Sequence, residues 1–404
     1  MGGWTSIWSY GSCYRIGGRS LVIRSRTARR QGQRDYGLIG ITGLLILVGI
    51  VVIYTISPIL NYGAFGEVGA NYFLYRHLFN LLLGAVAFFV ASRIPLKTWK
   101  ELLPILLGAS VVASILLLIP ATAVTINGAT RWISLAGITF QPSELIKLTA
   151  VIYTAFWLGG KTKQELNNPS LTLWPLMVLI GVLGIFIVII QKDLGTMIVL
   201  TAILLGMMYF SGMQLRYIGF AVALLGLLGA LSVAIAPHRI ARLTTFLNAS
   251  EDIQGAGYHI DQALTAIGSG GVFGVGLGRS IQVYGFLPEA ENDSVFAIHS
   301  EIFGFVGAVV LLVAFGVLLT KLLRISEHQK TQPGRLLAAG LFFWLGAHVF
   351  INVGAMLSVL PLTGLTLPFL SYGGSSLLMM MTGLGIAFGL SAQTTSRSGL
   401  RSRA

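Results

Sequence analysis

The sequence GFLPEAENDS, residues 285–294, forms a turn-rich loop with three carboxylates and leads directly into the apolar segment 295–319. A segment of that length and composition is long enough to cross a bilayer as a helix. A carboxylate at the edge of hydrocarbon is costly, so an acid held there is a candidate for function. Asp293 or Asn292 could also simply cap the following helix, and the two roles do not exclude each other.

The composition is that of an integral membrane protein. Of 404 residues, 55% are hydrophobic and 10% are charged, and the mean hydropathy is +0.81, whereas soluble globular proteins are about 25% charged. A single cysteine, Cys13, excludes an intramolecular disulfide and a multi-cysteine metal site. No histidine pair has the i,i+4 spacing of a helical zinc site, so we expect no metal hydrolase.

Apolar runs of about 17–25 residues predict an all-α polytopic fold with about ten transmembrane helices. The predicted organisation is a basic cytoplasmic tail over 1–35, a membrane domain over 36–391 and a second cytoplasmic tail over 392–404. The connection 237–293 is the longest, and long ordered loops are commonly functional. The ten spans are 37–58, 75–93, 102–121, 143–160, 172–191, 193–211, 217–236, 294–320, 336–357 and 374–391.

The net charge of +13 follows the positive-inside rule, which predicts that both termini are cytoplasmic and that 237–293 is extracellular. The electrostatic partner is then anionic membrane lipid and not nucleic acid. The first tail does not have the pattern of a cleavable signal peptide. Basic residues predicted inside are Arg15, Arg19, Arg24, Arg26, Arg29, Arg30, Arg34, Arg93, Lys97, Lys100, Lys161, Lys163, Arg216, Lys321, Arg324, Lys330, Arg335, Arg397, Arg401 and Arg403.

The glycine run, residues 268–278, has six glycines in eleven positions. Such density permits close approach of the backbone to a ligand or to the membrane surface. The run follows no strand and has no Walker lysine, so it matches a nucleotide-binding loop poorly. Phosphate contact and simple turn formation both remain open.

Two charged motifs lie at predicted span boundaries. In QPSELIK, residues 141–147, the i,i+3 spacing places Glu144 and Lys147 on one helix face, where they can neutralise each other. The pair could tie helices together or face a substrate. Upstream, Arg131 is a planar cation suited to pyrophosphate, and the aromatic belt alone would explain its neighbour Trp132.

Further polar residues occur near other predicted helix ends. Lys192 and Asp193 separate the fifth span from the sixth, either as substrate contacts or as solvated hairpin charges. Glu301 lies about two turns deeper than Asp293, at a depth where an unpaired charge is costly. Residues 360–376 are irregular, so this segment must be buried in protein or line a wet cavity.

Together and in this order, these motifs resemble the shape, elongation, division and sporulation (SEDS) family, which includes FtsW, RodA and SpoVE. The resemblance covers residues 36–391. It depends on several separated motifs, which are NGATRWI (127–133), QPSELIK (141–147), DLGT (193–196), the glycine run with GFLPE (285–289) and Asp293, and PFLSYGGSS (368–376).

The resemblance implies a peptidoglycan glycosyltransferase that polymerises lipid II, an undecaprenyl-pyrophosphate-linked disaccharide peptide. The reaction would occur at the outer face of the bacterial cytoplasmic membrane, in cell division or cell-shape maintenance. The family's essential carboxylate matches Asp293. Candidate substrate-binding residues are Arg131, Glu144, Lys147, Lys192, Asp193, Arg279, Glu301, Ser371 and Ser375, of which Arg131, Lys192 and Arg279 would contact pyrophosphate.

The resemblance also implies a partner, a class B penicillin-binding protein with transpeptidase activity. Small residues favour close helix association in membranes, and the eighth and ninth spans supply them at Gly304, Gly307, Ala308, Gly340, Gly346 and Ala347. These residues could equally pack the protein's own bundle. A divalent cation, Mg²⁺ or Mn²⁺, could assist the reaction, although the sequence specifies no metal ligand set.

The chain departs from the family pattern at three places. Glu291-Asn292 replaces a frequent His-Thr before the essential acid, Ile302 replaces a second glutamate, and Lys192 replaces a proline. The first change alters the pKa environment of Asp293. The third makes Lys192 a candidate particular to this chain.

In the expected mechanism, the 4-hydroxyl of an incoming lipid II attacks the anomeric carbon of the growing chain, with Asp293 as general base. We expect the following helix dipole to keep Asp293 ionised, and Glu289 and Glu291 to oppose that effect. The alternative function is a lipid II flippase, which would keep its essential charges near the midplane. A scaffold would leave the charged motifs unexplained.

Overall fold

The computed structural model describes residues 15–16, 19–20, 34–64, 71–126, 129–135, 138–247 and 255–392. Most of the predicted first tail, nearly all of the second and the Asn127-Gly128 pair lie outside the described residues. The described part is predominantly helical. The predicted all-α polytopic class is confirmed.

The described residues form thirteen α-helices. Two π-helical segments, Pro169–Leu173 and Phe186–Ile190, extend the sixth of them at both ends. The helices are α1 Tyr36–Ala64, α2 Tyr72–Arg93, α3 Leu96–Leu116, α4 Pro142–Gly159, α5 Lys163–Leu166, α6 Trp174–Ile185, α7 Leu194–Ser211, α8 Leu215–Ala234, α9 Pro237–Leu247, α10 Ala256–Ser269, α11 Val295–Glu327, α12 Gln332–Met356 and α13 Gly374–Ser391.

Nine described segments are long and apolar enough to cross a membrane. They are Tyr36–Pro58, Tyr72–Arg93, Leu96–Leu116, Pro169–Ile190, Leu194–Ser211, Leu215–Ala234, Val295–Glu327, Gln332–Met356 and Gly374–Ser391. The remaining predicted span is α4. Two charged residues, Glu144 and Lys147, lower its mean hydropathy. Its 18 residues are mostly buried against α3, α7 and α12, so α4 lies inside the bundle.

The centre of the bundle is α12. It packs against α4, α7 and α11, and 72% of its most apolar window is buried, compared with 6% for α8. At Gly340, an added Cβ would lie 2.8 Å from both Met207 Sδ and Val151 Cγ1. This close packing places the polar residues of α12 in the interior.

A small antiparallel sheet was not predicted. It consists of β3 Ala123–Ile126, β4 Ala129–Leu135 and β5 Ile138–Phe140 in the order β3-β4-β5, while β1 Arg15–Ile16 pairs with β2 Arg19–Ser20 in the tail. An Asn-Gly pair between β-branched runs is a hairpin signal, and the sequence has it at residues 127–128. The sheet ends where Pro142 begins α4, a favoured position for proline.

The predicted loop 237–293 contains two helices, α9 and α10, and α10 packs against α11. The predicted span 294–320 is also not continuous. Gly304 has φ 68° and ψ −167°, which breaks α11 into a buried segment over 295–303 and a longer one over 305–327. The residues of the first segment therefore lie inside the protein, next to the site described below.

The sidedness of the connections is tested by cysteine labelling in a Cys13→Ser background. Asp261 on α10 and Gln164 on α5 are both exposed. Because the positive-inside rule places the first outside and the second inside, an impermeant maleimide should label Asp261→Cys on intact cells. Gln164→Cys should react only after permeabilisation. The reverse pattern would invert the topology.

Candidate active site

Asp293 lies in the turn before α11 and is buried. Its side chain is 7% exposed, and within the described residues Oδ1 has no hydrogen-bond partner. The N-cap of α11 is Ser294, and no side-chain capping bond is present there. Asp293 is therefore not the helix cap, and its Oδ1 is a buried acceptor without a hydrogen bond from the described part of the chain.

The backbone around Asp293 is held by α12 and by the irregular segment, residues 360–373. Asn352 Nδ2 donates to the carbonyl oxygens of Asp293, at 2.8 Å, and of Leu365, at 2.7 Å. The amide of Tyr372 donates to the carbonyl of Glu291 at 2.7 Å. These bonds join two non-helical segments into one wall of the site.

The long loop contributes a second support. Ser294 Oγ donates to the carbonyl of Pro288 at 2.8 Å and lies 2.7 Å from His259 Nε2 on α10. Since the serine hydroxyl has one hydrogen, Nε2 of His259 is the donor in the second bond. Burial lowers the pKa of His259. The lower pKa favours the neutral imidazole with its hydrogen on Nε2.

Burial raises the pKa of Asp293 to about 7, and the charges of Glu289 and then Glu291 add to the increase. The expectation that the helix dipole keeps Asp293 ionised is therefore wrong, since the group is only about half ionised at neutral pH. The opposing effect expected from Glu289 and Glu291 is confirmed. A carboxylate with such a pKa can take up and release a proton near pH 7.

Arg131 reaches from β4 to the turn between α6 and α7. Its Nη2 donates to the carbonyl of Lys192 at 2.8 Å and its Nε to that of Gln191 at 3.3 Å. A Cβ added to Gly364 would lie 3.8 Å from Nη1 of Arg131 and 4.0 Å from Oδ2 of Asp293. Nη1 of Arg131 and Oδ2 of Asp293 thus both lie next to Gly364.

The turn that Arg131 binds is shaped by Asp193, the N-cap of α7. Its Oδ1 accepts from the amide of Thr196 at 3.0 Å, and its Oδ2 accepts from Thr196 Oγ1 at 2.8 Å and from Gln141 Nε2 at 3.4 Å. Both carboxylate oxygens are occupied, so the geometry gives Asp193 a structural role in place of the predicted substrate contact. Lys192 has φ 51°, and its side chain is exposed.

Glu144 and Lys147 form the ion pair that their spacing predicts. Lys147 Nζ lies 2.7 Å from Glu144 Oε1, and their side chains are 0% and 5% exposed respectively. Lys147 Nζ is also 3.0 Å from Nε2 of His348 on α12, whose Nδ1 is 3.2 Å from the carbonyl of Thr366. A carbonyl only accepts, so Nδ1 carries the hydrogen and Nε2 accepts from the ammonium group.

Arg279 and Glu301 flank the Asp293 loop in sequence. Arg279 precedes the loop and Glu301 follows it. Glu301 accepts from Ser280 Oγ at 2.5 Å and from the amide of Ile281 at 2.9 Å, so it orders this turn and is not open to substrate as predicted. Arg279 is exposed. Within the described residues, no hydrogen bond or ion pair joins its guanidinium group to another predicted site residue.

One of the two predicted serines holds the irregular segment in place, and the other joins α13 to the residue before α4. Ser371 Oγ accepts from the amide of Leu367 at 2.8 Å, and Ser375 Oγ accepts from the amide of Gln141 at 3.0 Å. Ser371 is buried. The segment was expected to be buried in protein or to line a wet cavity; residues 365 and 367–371 are buried, and Gly364 is exposed.

Sequence reasoning missed His348 and Asn352, which connect the parts of the site. They are four residues apart and thus on one face of α12, about 6 Å apart along its axis. Polar side chains in the middle of a span are rare and usually functional. That signal was present in the sequence and could have identified both residues.

A model of the Cell cycle protein family, named for FtsW, RodA and SpoVE, matches residues 36–396. The chain belongs to this family. It is 36% identical over 355 residues to the probable peptidoglycan glycosyltransferase FtsW of Coxiella burnetii, covering 87% of this chain and 94% of that protein. It is 35% identical over 359 residues to stage V sporulation protein E of Bacillus subtilis, covering 88% and 96%.

Solved structures share the fold. Rod shape determining protein RodA of Thermus thermophilus aligns with a TM-score of 0.63 and 26% identity, covering 90% of this chain and 98% of that one. A chain of a peptidoglycan synthase complex, described for its coordination of polymerization and crosslinking, aligns with a TM-score of 0.71 and 28% identity, covering 89% and 97%. The predicted SEDS family is confirmed.

The buried ion pair provides a test of its role. Removing one partner strands a buried charge and typically costs about 3–5 kcal/mol, so Glu144→Gln and Lys147→Met should each lower thermal stability and membrane yield. The double variant should recover stability while polymerisation activity stays low. Full recovery of activity would show that the pair is only structural.

A matched control is the exposed pair of Lys97 and Glu101, whose charged atoms are 3.8 Å apart. Exposed pairs contribute little to stability, so Lys97→Met should behave like the unchanged protein in both measurements.

Proposed function

We propose that this protein is a peptidoglycan glycosyltransferase that polymerises lipid II at the outer face of the cytoplasmic membrane. The observation that carries the proposal is that buried Asp293 and the guanidinium group of Arg131 both lie next to Gly364. A base accepts the proton of the attacking hydroxyl, and a cation stabilises a departing pyrophosphate. The names of the FtsW relatives support the same reaction.

In this mechanism, the 4-hydroxyl oxygen of the incoming lipid II forms a bond to the anomeric carbon of the growing chain. Its proton passes to the carboxylate of Asp293, whose Oδ2 lies next to Gly364. The bond from the anomeric carbon to pyrophosphate breaks, and lipid pyrophosphate leaves with the electron pair. Nη1 of Arg131 faces this space, and the exposed side chains of Lys192 and Arg279 are further candidates for phosphate contact.

Glu144, Lys147 and His348 act as positioning residues in the proposal. They form a buried chain that ends on the carbonyl of Thr366, two residues from Gly364. Because Gly364 of the irregular segment lies next to both Arg131 and Asp293, a shift of this chain would disturb the surroundings of both cation and base. Catalysis falls steeply with such displacements.

A divalent cation stays a separate prediction. Within the described residues, no three His, Cys, Asp or Glu side chains converge as a metal site. Mg²⁺ binds through one or two carboxylates, waters and substrate phosphates, so an ion held by Asp293 would take most of its ligands from pyrophosphate and water. No step of the mechanism depends on it.

The flippase alternative is not favoured. It would require charges open to a headgroup near the midplane, but Lys147 is closed off by Glu144 and His348. Asp293 lies outside the membrane-spanning segments, in the turn before α11. That placement suits chemistry at a lipid headgroup.

The proposed partner is a class B penicillin-binding protein with transpeptidase activity. Support comes from the structural likeness to a chain of a synthase complex that combines polymerization and crosslinking. The small residues predicted for this interface include Gly340, which packs on Met207 and Val151, and Gly304, which contacts the glycine run. These two pack the protein's own chain, and the interface stays a prediction for Gly307, Ala308, Gly346 and Ala347. Cytoplasmic termini and anionic lipid at the basic tail complete the proposal.

Asp293→Asn is the direct test of the base. The substitution keeps the size of the side chain but cannot accept the proton, so glycan synthesis from purified lipid II should fall by about 10²–10⁴-fold. Burial disfavours the charged form of Asp293, so the acid destabilises the folded state at neutral pH. The melting temperature of Asp293→Asn should therefore be unchanged or higher. Asp261→Asn, at an exposed position on α10, is the control and should polymerise normally. Near-normal synthesis by Asp293→Asn would remove it as the base.

The pH dependence gives an independent test. The base works when ionised and the pKa of Asp293 is about 7, so the polymerisation rate should rise with pH and level off above about 7. Glu289→Gln removes a negative neighbour that raises this pKa, so the midpoint should move to lower pH. Glu101→Gln, a change at an exposed glutamate, should leave the midpoint unchanged. A profile unaffected by Glu289→Gln would contradict the assignment.

A further inference from the structure

The break in α11 removes backbone hydrogen bonds of the helix, and the glycine run replaces them. In a continuous helix, the amides of residues 305 and 306 would donate to the carbonyls of residues 301 and 302. The conformation of Gly304, with φ 68° and ψ −167°, separates these groups. Two amides and two carbonyls therefore need other partners.

The glycine run supplies all four partners. The amides of Phe305 and Val306 donate to the carbonyls of Gly271 and Val272, at 2.9 and 3.1 Å. In return, the amides of Val275 and Gly276 donate to the carbonyls of residues 301 and 302, at 2.9 and 3.1 Å. The run thus replaces the missing helical bonds across the break.

This contact requires glycine at two positions. A Cβ on Gly274 would collide with the carbonyl of Ile302, and a Cβ on Gly304 would lie 2.6 Å from the carbonyl of Val272. Gly278 has a similar positive φ, 75° against 83° for Gly274, but its Cβ would meet nothing within 4 Å. The glycine density predicted a close approach of the backbone to a ligand or to the membrane surface. The closest approach in the structure is to the backbone of α11.

The bonds also fix the depth of the run in the membrane. Lys321, at the cytoplasmic end of the apolar stretch of α11, is 16 residues from Phe305, or about 24 Å along a helix. The hydrocarbon core is about 30 Å thick, so Phe305 lies inside it, near the outer boundary. Val272 is bonded directly to Val306 and must lie at the same depth.

We propose that residues 271–276 are a re-entrant segment whose Val272 and Phe273 insert among the acyl chains of the outer leaflet. Phe273 is 82% exposed and Phe305 is 68% exposed. The apolar surface of the run continues the lipid-facing surface of α11, which includes exposed Val309, Val310 and Val313. That continuity identifies the bilayer as the partner of this face.

Non-helical backbone is tolerated at membrane depth where its polar groups are satisfied by protein, and the four exchanged bonds, with the bond from the amide of Gly274 to the carbonyl of Gly270, satisfy part of the run in this way. Beyond the run, Ile281, Tyr284 and Phe286 are also exposed, and aromatic residues favour the membrane–water interface. Glu301 joins this stretch to α11 through Ser280 and Ile281. The segment thereby sets the depth of the loop that carries Asp293, whatever reaction that loop performs.

The test is the depth of a nitroxide label in the complete protein, purified alone and reconstituted in lipid nanodiscs with Cys13→Ser. Labels are placed by Phe273→Cys, by Phe305→Cys as the lipid reference and by Asp261→Cys as the aqueous reference. Collisions with oxygen should exceed those with a water-soluble nickel complex at 273, as at 305, and the ratio should reverse at 261. A label at 273 that behaves like the one at 261 would overturn the proposal and leave this face to a protein partner.

Two glycine variants test the link between the run and the break. Gly274→Ala and Gly278→Ala introduce comparable backbone strain, but only the first collides with α11. Combined with the label at 273, Gly274→Ala should shift the collision ratio towards the aqueous reference, while Gly278→Ala should leave it unchanged. Equal ratios in the two variants would show that the backbone exchange does not hold the segment in the bilayer.

Discussion

A backbone amide or carbonyl left without a partner in hydrocarbon costs several kcal/mol, and this constraint governs the non-helical parts of the protein. α11 can be broken at Gly304 because the glycine run supplies the lost bonds. The segment 360–373 can remain irregular because Asn352, Ser371 and the carbonyl of Glu291 bond to it. Each departure from helix is thus coupled to another part of the chain.

The consequence is that the site is assembled from pieces that cannot move independently. α12 lies at the centre of the bundle, and its His348 and Asn352 reach the irregular segment at Thr366 and Leu365. The same Asn352 holds the carbonyl of Asp293. A change in the packing of α12 would therefore reach both the buried ion pair and the acid at once.

The acidic side chains of the site differ in how their charge is compensated. Asp193 is bonded to Thr196, Glu301 to the 280–282 turn and Glu144 to Lys147. Asp293 is buried beside Glu289 and Glu291, which raises its pKa to about 7. Three acids thus stabilise local structure, whereas Asp293 lies in an environment that disfavours its charged form. Carboxyl groups with perturbed pKa values of this kind concentrate at functional sites.

Sequence alone determined the class of the protein, the approximate helices and the acid at the centre of the site. Length and hydropathy suffice for spans because each helix satisfies its own backbone bonds and must match the bilayer thickness. The spacing of Glu144 and Lys147 fixed their pairing for the same local reason. The Asn-Gly hairpin signal at residues 127–128 is local as well.

Only the tertiary structure decided what each polar group does. The burial of Asp293, the approach of Arg131 to Gly364 and the contact of Lys147 with His348 join residues that are tens to hundreds of positions apart. Hydropathy cannot show that a glycine run fits a break in a distant helix, because that fit depends on atoms a few ångströms apart in space. The difference between the bonded carboxylates and buried Asp293, whose pKa is raised, follows from such contacts, and these arise only when the helices pack.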